Sequence, residues 1–475
     1  VNWAPEHYLP WHRLTRLGQE VSTTSFFGDM LQSIAERGRA LVDRSHRRGA
    51  DEQRFTDLVQ LCEALLSGRG EASGISLAGE ILSRYAELTI GPRVAFFEEL
   101  VTRFGPDQER MNAAIRAWID APSEVNASKM HRASEPRRLE LLRRLNLAPD
   151  GTRALVCMRE QLMDALDRRA DLAVLDDDFL HVFSSWFNRG FLVLRRIDWS
   201  TPARILEKII RYEAVHEIRD WNDLRMRVES PGRRCYAFFH PALVDEPLIF
   251  VEVALTRGIP AAIAPILSTQ TEPFEPERAT SAVFYSISNC QRGLGGVSFG
   301  HFLLKQVAEE IRREMPRLST FVTLSPAPAF AGWLTRERAS KVSIGLTEED
   351  RAALAGLDRP DWWRDPQMVE IVRDPLLRAA AWYFLRARIP QGTPLDPVAR
   401  FHLGNGARLE RLNVLADTST RGLQQSYGLM VNYLYDLDDI EKNHEAYAQQ
   451  HAVIAAGSVN RLVRAPLREV ATTET

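Results

Sequence analysis

The spacing of hydrophobic and polar positions changes once along the chain. Over roughly the first 190 residues apolar side chains recur at helical spacing, in Phe96 to Phe104, Met111 to Ile119, Leu155 to Leu175 and Phe179 to Phe187. Breakers fall between these segments at Gly105-Pro106, Ala121-Pro122 and Pro149 to Gly151. No fixed repeat is present, so a solenoid is unsupported. From about Gly190 shorter, β-rich runs take over. Phe191 to Leu194 predicts a strand entry, Pro202 to Tyr212 a short helix, and Arg234 to His240 and Pro247 to Leu255 two strands, with Pro241 and Asp245 to Pro247 shaping the turn between them. Ala261 to Leu267 is a candidate for another strand.

Ser281 to Ser288 is rich in β-branched and aromatic residues and predicts a buried strand. A polar, glycine-studded loop follows over Asn289 to Gly300. Leu304, Val307, Ala308 and Ile311 then fall on one helical face, which makes His301 to Met315 an amphipathic helix stopped by Pro316. Leu318 to Ser325 supplies a second strand, closed by Pro326. Strand, loop, helix and strand form a βαβ unit with parallel strands. Residues 336 to 400 read as a mostly helical insertion over the sheet, helical patterning returns after Phe401 to about Leu415, and Tyr427 to Tyr435 reads as the last strand. From about Ile454 the periodicity is lost, and a loose tail is expected. The pattern is that of an α+β multidomain chain: an all-helical domain over residues 1–188, then a mixed α/β domain over residues 189–475.

Composition narrows the function classes. A chain of 475 residues is too long for one ordinary core. A formal charge of −3, with basic residues spread along the chain, leaves no electrostatic footprint for nucleic acid. Cys62, Cys157, Cys235 and Cys290 lie far apart, which argues against both a zinc site and a secreted disulfide framework. No apolar run is long enough to span a membrane, the start of the chain lacks a signal pattern, and Thr473 to Thr475 is no peroxisomal tripeptide. The expectation is a reducing, bacterial-type cytosol.

The candidate chemistry gathers around the βαβ unit. Its loop exposes backbone N–H groups where the helix dipole is positive, which suits a phosphate or pyrophosphate, and Gly293, Gly295, Gly296 and Gly300 fit a backbone that approaches a ligand closely. Gly296 to Gly300 also matches the G-x-S-x-G nucleophile elbow, but an elbow serine follows its strand directly and seven residues, Asn289 to Gly295, intervene here. Ser325 ends a strand of the unit, where α/β sheets bind ligands, although the local pattern alone favours a serine that opens a turn. His402, between Phe401 and Leu403, fits either a catalytic imidazole or a satisfied core group. His181 and Tyr285 read as core or interface residues.

Five segments together resemble the malonyl-CoA decarboxylase family. They are His240-Pro-Ala-Leu-Val-Asp-Glu-Pro-Leu248, Phe284-Tyr-Ser-Ile-Ser288 with Gly293-Leu-Gly-Gly-Val297, Leu324-Ser-Pro-Ala-Pro328, Phe401-His-Leu-Gly-Asn-Gly-Ala407 and Gly428-Leu-Met-Val-Asn-Tyr433, in the family's order and at similar spacing. The resemblance implies a helical domain used in self-association, as a homodimer or homotetramer, ahead of a catalytic domain of the GNAT acyltransferase fold. Two parallel strands of that fold splay to admit an acyl-CoA. It further implies that Gly295, Gly296, Val297, Ser298, Phe299, Gly300 and His301 contact malonyl-CoA, chiefly by main chain. Ser325 and His402 become the catalytic pair, and Lys208 matches a lysine the family needs. Two departures stand out. Animal members carry glutamate at the position of Ser298, and the acyltransferase loop signature is only partly met by Arg292 to Val297, which ends in valine.

The implied reaction converts malonyl-CoA to acetyl-CoA and carbon dioxide, in malonate catabolism or fatty acid metabolism. Loss of carbon dioxide leaves an enolate delocalised into the thioester, so the expectation is a carboxy-lyase with no metal and no cofactor beyond the CoA of its substrate. Protonated His402 is the expected acid, because an unperturbed imidazole titrates near neutrality. Two other classes fit the same fold: a GNAT-type acyltransferase acting on an amine, and a non-catalytic acyl-CoA sensor.

Overall fold

The computed structural model describes residues 51–67, 70–268, 274–297, 299, 303–340 and 343–463, and the chain divides into two compact units between Val182 and Phe183. In the first unit the described residues are helical, from Asp51–Leu66 through Gly151–Leu166. The helix starts are set by local chemistry: Asp107 accepts the amide of Arg110 at 3.0 Å and Ser123 that of Asn126 at 3.3 Å, each occupying an N–H that the helix leaves unpaired. Phe96, Phe97, Leu100, Leu141, Leu155 and Leu162 form the buried side of this unit. The run Leu155 to Leu175 is not one helix. It breaks after Leu166, passes through a short 3₁₀ turn at Ala170–Leu172 and resumes as Ala173–Trp186.

The second unit is a mixed sheet with helices. Its strands are β1 (Val193–Ile197), β2 (Arg233–Phe239), β3 (Pro247–Thr256), β4 (Ser281–Asn289), β5 (Thr320–Thr323), β6 (Ser325–Pro326), β7 (Arg408–Asn413) and β8 (Met430–Leu434). They lie in the order β1-β2-β3-β4-β5-β8-β6, with β7 also on β8. Of these pairs only β4 and β5 run parallel, joined by the Leu303–Glu314 helix as the βαβ pattern predicts. That helix buries Leu304, Val307, Ala308 and Ile311. β3 is buried along nearly its whole length, as a strand covered on both faces must be.

Three expectations change. Ala261 to Leu267 is not a strand; Ala264–Leu267 is a single helical turn with Pro265 in its first positions. Between Gly404 and Leu415 the chain is not helical but forms β7. The start of the expected loose tail is tied down, with the amide of Leu409 donating to the Ile454 carbonyl at 2.9 Å and that of Ala456 to the Leu409 carbonyl at 2.8 Å, while residues 464–475 lie outside the described residues. Within the region of residues 336 to 400 the Pro366–Arg386 helix dominates, and Tyr383 and Trp382 pack on Phe330 and Trp333 of the Phe330–Ala339 helix.

Candidate active site

The parallel pair parts halfway along its length. β4 and β5 pair from Ser281 with Thr320 to Phe284 with Thr323, and the amide of Leu324 still reaches the Phe284 carbonyl at 3.1 Å. Beyond that point β4 stays with β3, while Ser325–Pro326 turns to pair with β8. A bulge helps the separation: Glu252 faces Ser286 and Val253 faces Phe284, so Tyr285 is the extra residue that bends β4. Over the parted end of β4, Glu213 accepts from the Ser286 hydroxyl at 2.8 Å and from the amides of Val215 and His216 at 2.8 and 2.7 Å.

Ser325 sits where the strands part and is buried. His402 comes to it from the Pro397–Gly404 helix, whose start is over-determined: Asp396 accepts the Ala399 amide at 2.9 Å and Pro397 holds the first position. Tyr383 donates to the same carboxylate at 3.3 Å, and burial raises Asp396 to about 6. At the other end Gly406 has φ +80, and a Cβ there would stand 2.1 Å from the Ile440 carbonyl oxygen, so only glycine lets the chain turn into β7. The result is a contact of 2.9 Å between Ser325 Oγ and His402 Nε2.

The imidazole is enclosed. Its ring stacks on Tyr433 with centroids 4.5 Å apart, and its Nδ1 lies 2.8 Å from the Tyr435 phenol oxygen. Tyr435 meets the ring of Phe284 edge-on at 6.1 Å. Ser325 also donates to Thr323 Oγ1 at 2.9 Å. Burial alone lowers His402 to about 3. This overturns the expected imidazolium: near neutrality the ring is uncharged, with one N–H and one lone pair. Tyr433, Tyr435 and Thr323 escaped the sequence reading. The available signal was period two, since Thr323 precedes Ser325 by two and Tyr433 precedes Tyr435 by two, which puts each pair on one face of a strand.

The other expected site residues lie elsewhere. Lys208, on the Ala203–Tyr212 helix, donates to the Glu246 carboxylate at 2.7 Å and to the Asp245 carbonyl at 3.0 Å. It therefore meets the turn before β3 rather than the Ser325–His402 pair. Gln291, which opens the glycine loop, donates to the Pro247 carbonyl at 3.2 Å, so that turn and that loop are tied together. In the loop, Arg292–Leu294 makes a 3₁₀ turn, Gly296 has φ +80, Val297 is buried and Phe299 half-buried. Ser298, Gly300 and His301 lie outside the described residues. Among the described residues no group of three or more His, Cys, Asp or Glu side chains is placed to hold a metal ion. None of their helices is long and apolar enough to cross a membrane.

Comparison with known proteins shows the family of the chain. Residues 104–187 match the malonyl-CoA decarboxylase N-terminal domain and residues 190–473 the malonyl-CoA decarboxylase C-terminal domain. The chain is 38% identical over 340 residues to the mitochondrial malonyl-CoA decarboxylase of Anser anser anser, a match covering 66% of each chain. It is 35% identical over 359 residues to that of Mus musculus, covering 70% of this chain and 73% of the relative. Among solved structures, the malonyl-CoA decarboxylase of Rhodopseudomonas palustris superposes with a TM-score of 0.83 at 56% identity, over 86% of this chain and 99% of the other. That of Cupriavidus metallidurans superposes with a TM-score of 0.65 at 34% identity, over 87% and 99%.

Proposed function

The chain belongs to the malonyl-CoA decarboxylase family, and from that premise we propose that it decarboxylates malonyl-CoA to acetyl-CoA with Ser325 and His402 as its catalytic pair. The observation that carries the assignment is the buried 2.9 Å contact between Ser325 Oγ and His402 Nε2 at the point where β4 and β5 part. The acyl-CoA enters between the parted strands, with its pyrophosphate over the Gly295 to His301 segment and its malonyl end at Ser325.

The chemistry uses the substrate's own thioester. As the bond from C2 to the carboxylate breaks, its electron pair becomes an enolate spread onto the thioester oxygen, and carbon dioxide leaves. The chain has to orient that bond perpendicular to the thioester plane and offer hydrogen bonds to the developing charge. C2 then takes the proton of the Ser325 hydroxyl, and the serine oxygen takes the Nε2 proton of His402. The Tyr435 hydroxyl passes its proton to Nδ1; once product leaves, a solvent proton taken up at Ser325 runs the chain back, from Ser325 to Nε2 and from Nδ1 to the Tyr435 oxygen, and restores the starting tautomer. One solvent proton is consumed per turnover and the imidazole stays neutral, in keeping with its burial.

The same reading extends to assembly and location. Ile90, Ile119 and Val125 are 80%, 68% and 64% exposed on the helical unit, which supports self-association into a homodimer or homotetramer through that unit. None of Cys62, Cys157, Cys235 and Cys290 is in a disulfide, which supports a reducing cytosol, and the proposed substrate places the reaction in malonate or fatty acid metabolism. Purified protein incubated with malonyl-CoA and no acceptor is expected to yield acetyl-CoA and carbon dioxide by mass spectrometry. Acyl transfer to an added amine, with no acetyl-CoA formed in its absence, would overturn the proposal.

A further inference from the structure

At Thr323 the sheet exchanges main-chain bonds for side-chain ones. Val322 pairs with Leu434 and Ser325 with Val431, in one continuous antiparallel register. Between them the Tyr433 amide donates to Thr323 Oγ1 at 3.1 Å, and the Thr323 carbonyl accepts from Asn432 Nδ2 at 2.8 Å. The same Thr323 oxygen also accepts the Ser325 hydroxyl at 2.9 Å. Thr323 is fully buried, so water cannot take over either bond.

One arrangement of protons satisfies all of these contacts. With the Ser325 proton directed at Thr323, Ser325 Oγ presents only lone pairs to His402. A contact of 2.9 Å then requires the proton on Nε2, because two facing lone pairs would repel. Nδ1 is left as an acceptor, and the Tyr435 phenol 2.8 Å away is the donor it needs. We infer that Thr323 is a positioning residue for decarboxylation. Its hydroxyl selects one rotamer of the Ser325 O–H and so sets the direction of the whole Tyr435–His402–Ser325 chain. It holds the serine proton inside the sheet until the substrate carbon replaces it as acceptor.

The inference rests on Ser325 as proton donor, and the two fail differently. Thr323→Val keeps the shape and removes the acceptor, whereas Thr323→Ser keeps the acceptor and removes the methyl. The expected result for Thr323→Val is a kcat lower by about tenfold or more with KM changed by less than about threefold, and for Thr323→Ser a kcat within about threefold of the parent. The solvent deuterium isotope effect on kcat should rise in Thr323→Val as proton delivery becomes limiting. If Thr323→Val does not fold, Thr323→Cys, of similar size and with only a weak acceptor, is held to the same criteria. Equal losses in the valine and serine variants, or a valine variant with the parent's kcat, would overturn the role of Thr323. Full activity in Ser325→Ala would instead overturn the proton-donor reading itself.

Discussion

The Tyr435 phenol oxygen lies 2.8 Å from Nδ1 of His402, on the side of the ring opposite Ser325. This phenol is placed to donate to Nδ1, and in the proposed relay it supplies the next proton. Tyr435→Phe keeps the edge contact with Phe284 and removes only the hydroxyl. The expected outcome is a kcat lower by about 10- to 100-fold, less than the roughly 100- to 10000-fold for losing a general acid outright. Acetyl-CoA affinity, measured by calorimetry, should be unchanged. A Tyr435→Phe variant that loses affinity and keeps kcat would place the phenol in binding instead.

The depressed pKa of His402 has a defined pH signature. The folded value is about 3 and the unfolded value is near 6.5, so between these the unfolded chain binds a proton that the native state does not. The contribution of His402 to stability is therefore full above about pH 6.5 and lost as pH falls toward 3. Asp396, raised to about 6, works in the opposite sense: its native carboxyl keeps a proton the unfolded chain has released, so its contribution falls as pH rises from about 4 to 6. Denaturant unfolding of the parent and of His402→Asn across this range isolates the histidine. The stability of the parent relative to the variant should decline on acidification, and a difference that stays flat would contradict burial of a neutral ring.

Lys208 gives a prediction of a different kind, because it meets the Asp245–Glu246 turn and, through that turn, the mouth of the glycine loop. Both members of the ion pair are mostly buried, so Lys208→Met takes from the Glu246 carboxylate the ammonium 2.7 Å away. The expected cost is about 1–3 kcal/mol in denaturant unfolding, less than for a wholly buried pair. Kinetically kcat/KM should fall more than kcat, since the loop that receives the CoA moves and the Ser325–His402 pair does not. Exchanging the charges, with Lys208→Glu and Glu246→Lys together, should recover part of the loss. If kcat falls as far as in Ser325→Ala with KM unchanged, Lys208 acts on the reacting atoms.

The sheet architecture was largely legible because its strands are short apolar runs bounded by Pro and Gly, and the β4–helix–β5 unit changes period sharply. The misreadings have local causes. In β7 a register shift between Leu409 and Arg411 puts the buried Leu409 and Leu412 three residues apart, which imitates a helical face. In Ala261 to Leu267, Pro265 was the neglected sign, since it cannot donate to a ladder. The pairing of Ser325 with His402 spans 77 residues, so no local pattern predicts it, and only the family resemblance joined the two as a pair. The charge state of His402 was beyond reach for a related reason. It depends on Tyr433 and Tyr435 closing over the ring, a product of tertiary packing that a pentapeptide around His402 does not encode.

The most direct test is turnover of malonyl-CoA by the parent, Ser325→Ala and His402→Asn, with acetyl-CoA binding measured on the same preparations. The parent should form acetyl-CoA and carbon dioxide without any acceptor. Each variant should retain acetyl-CoA affinity and lose turnover by about 100- to 10000-fold. Near-parent turnover in both variants would contradict the account.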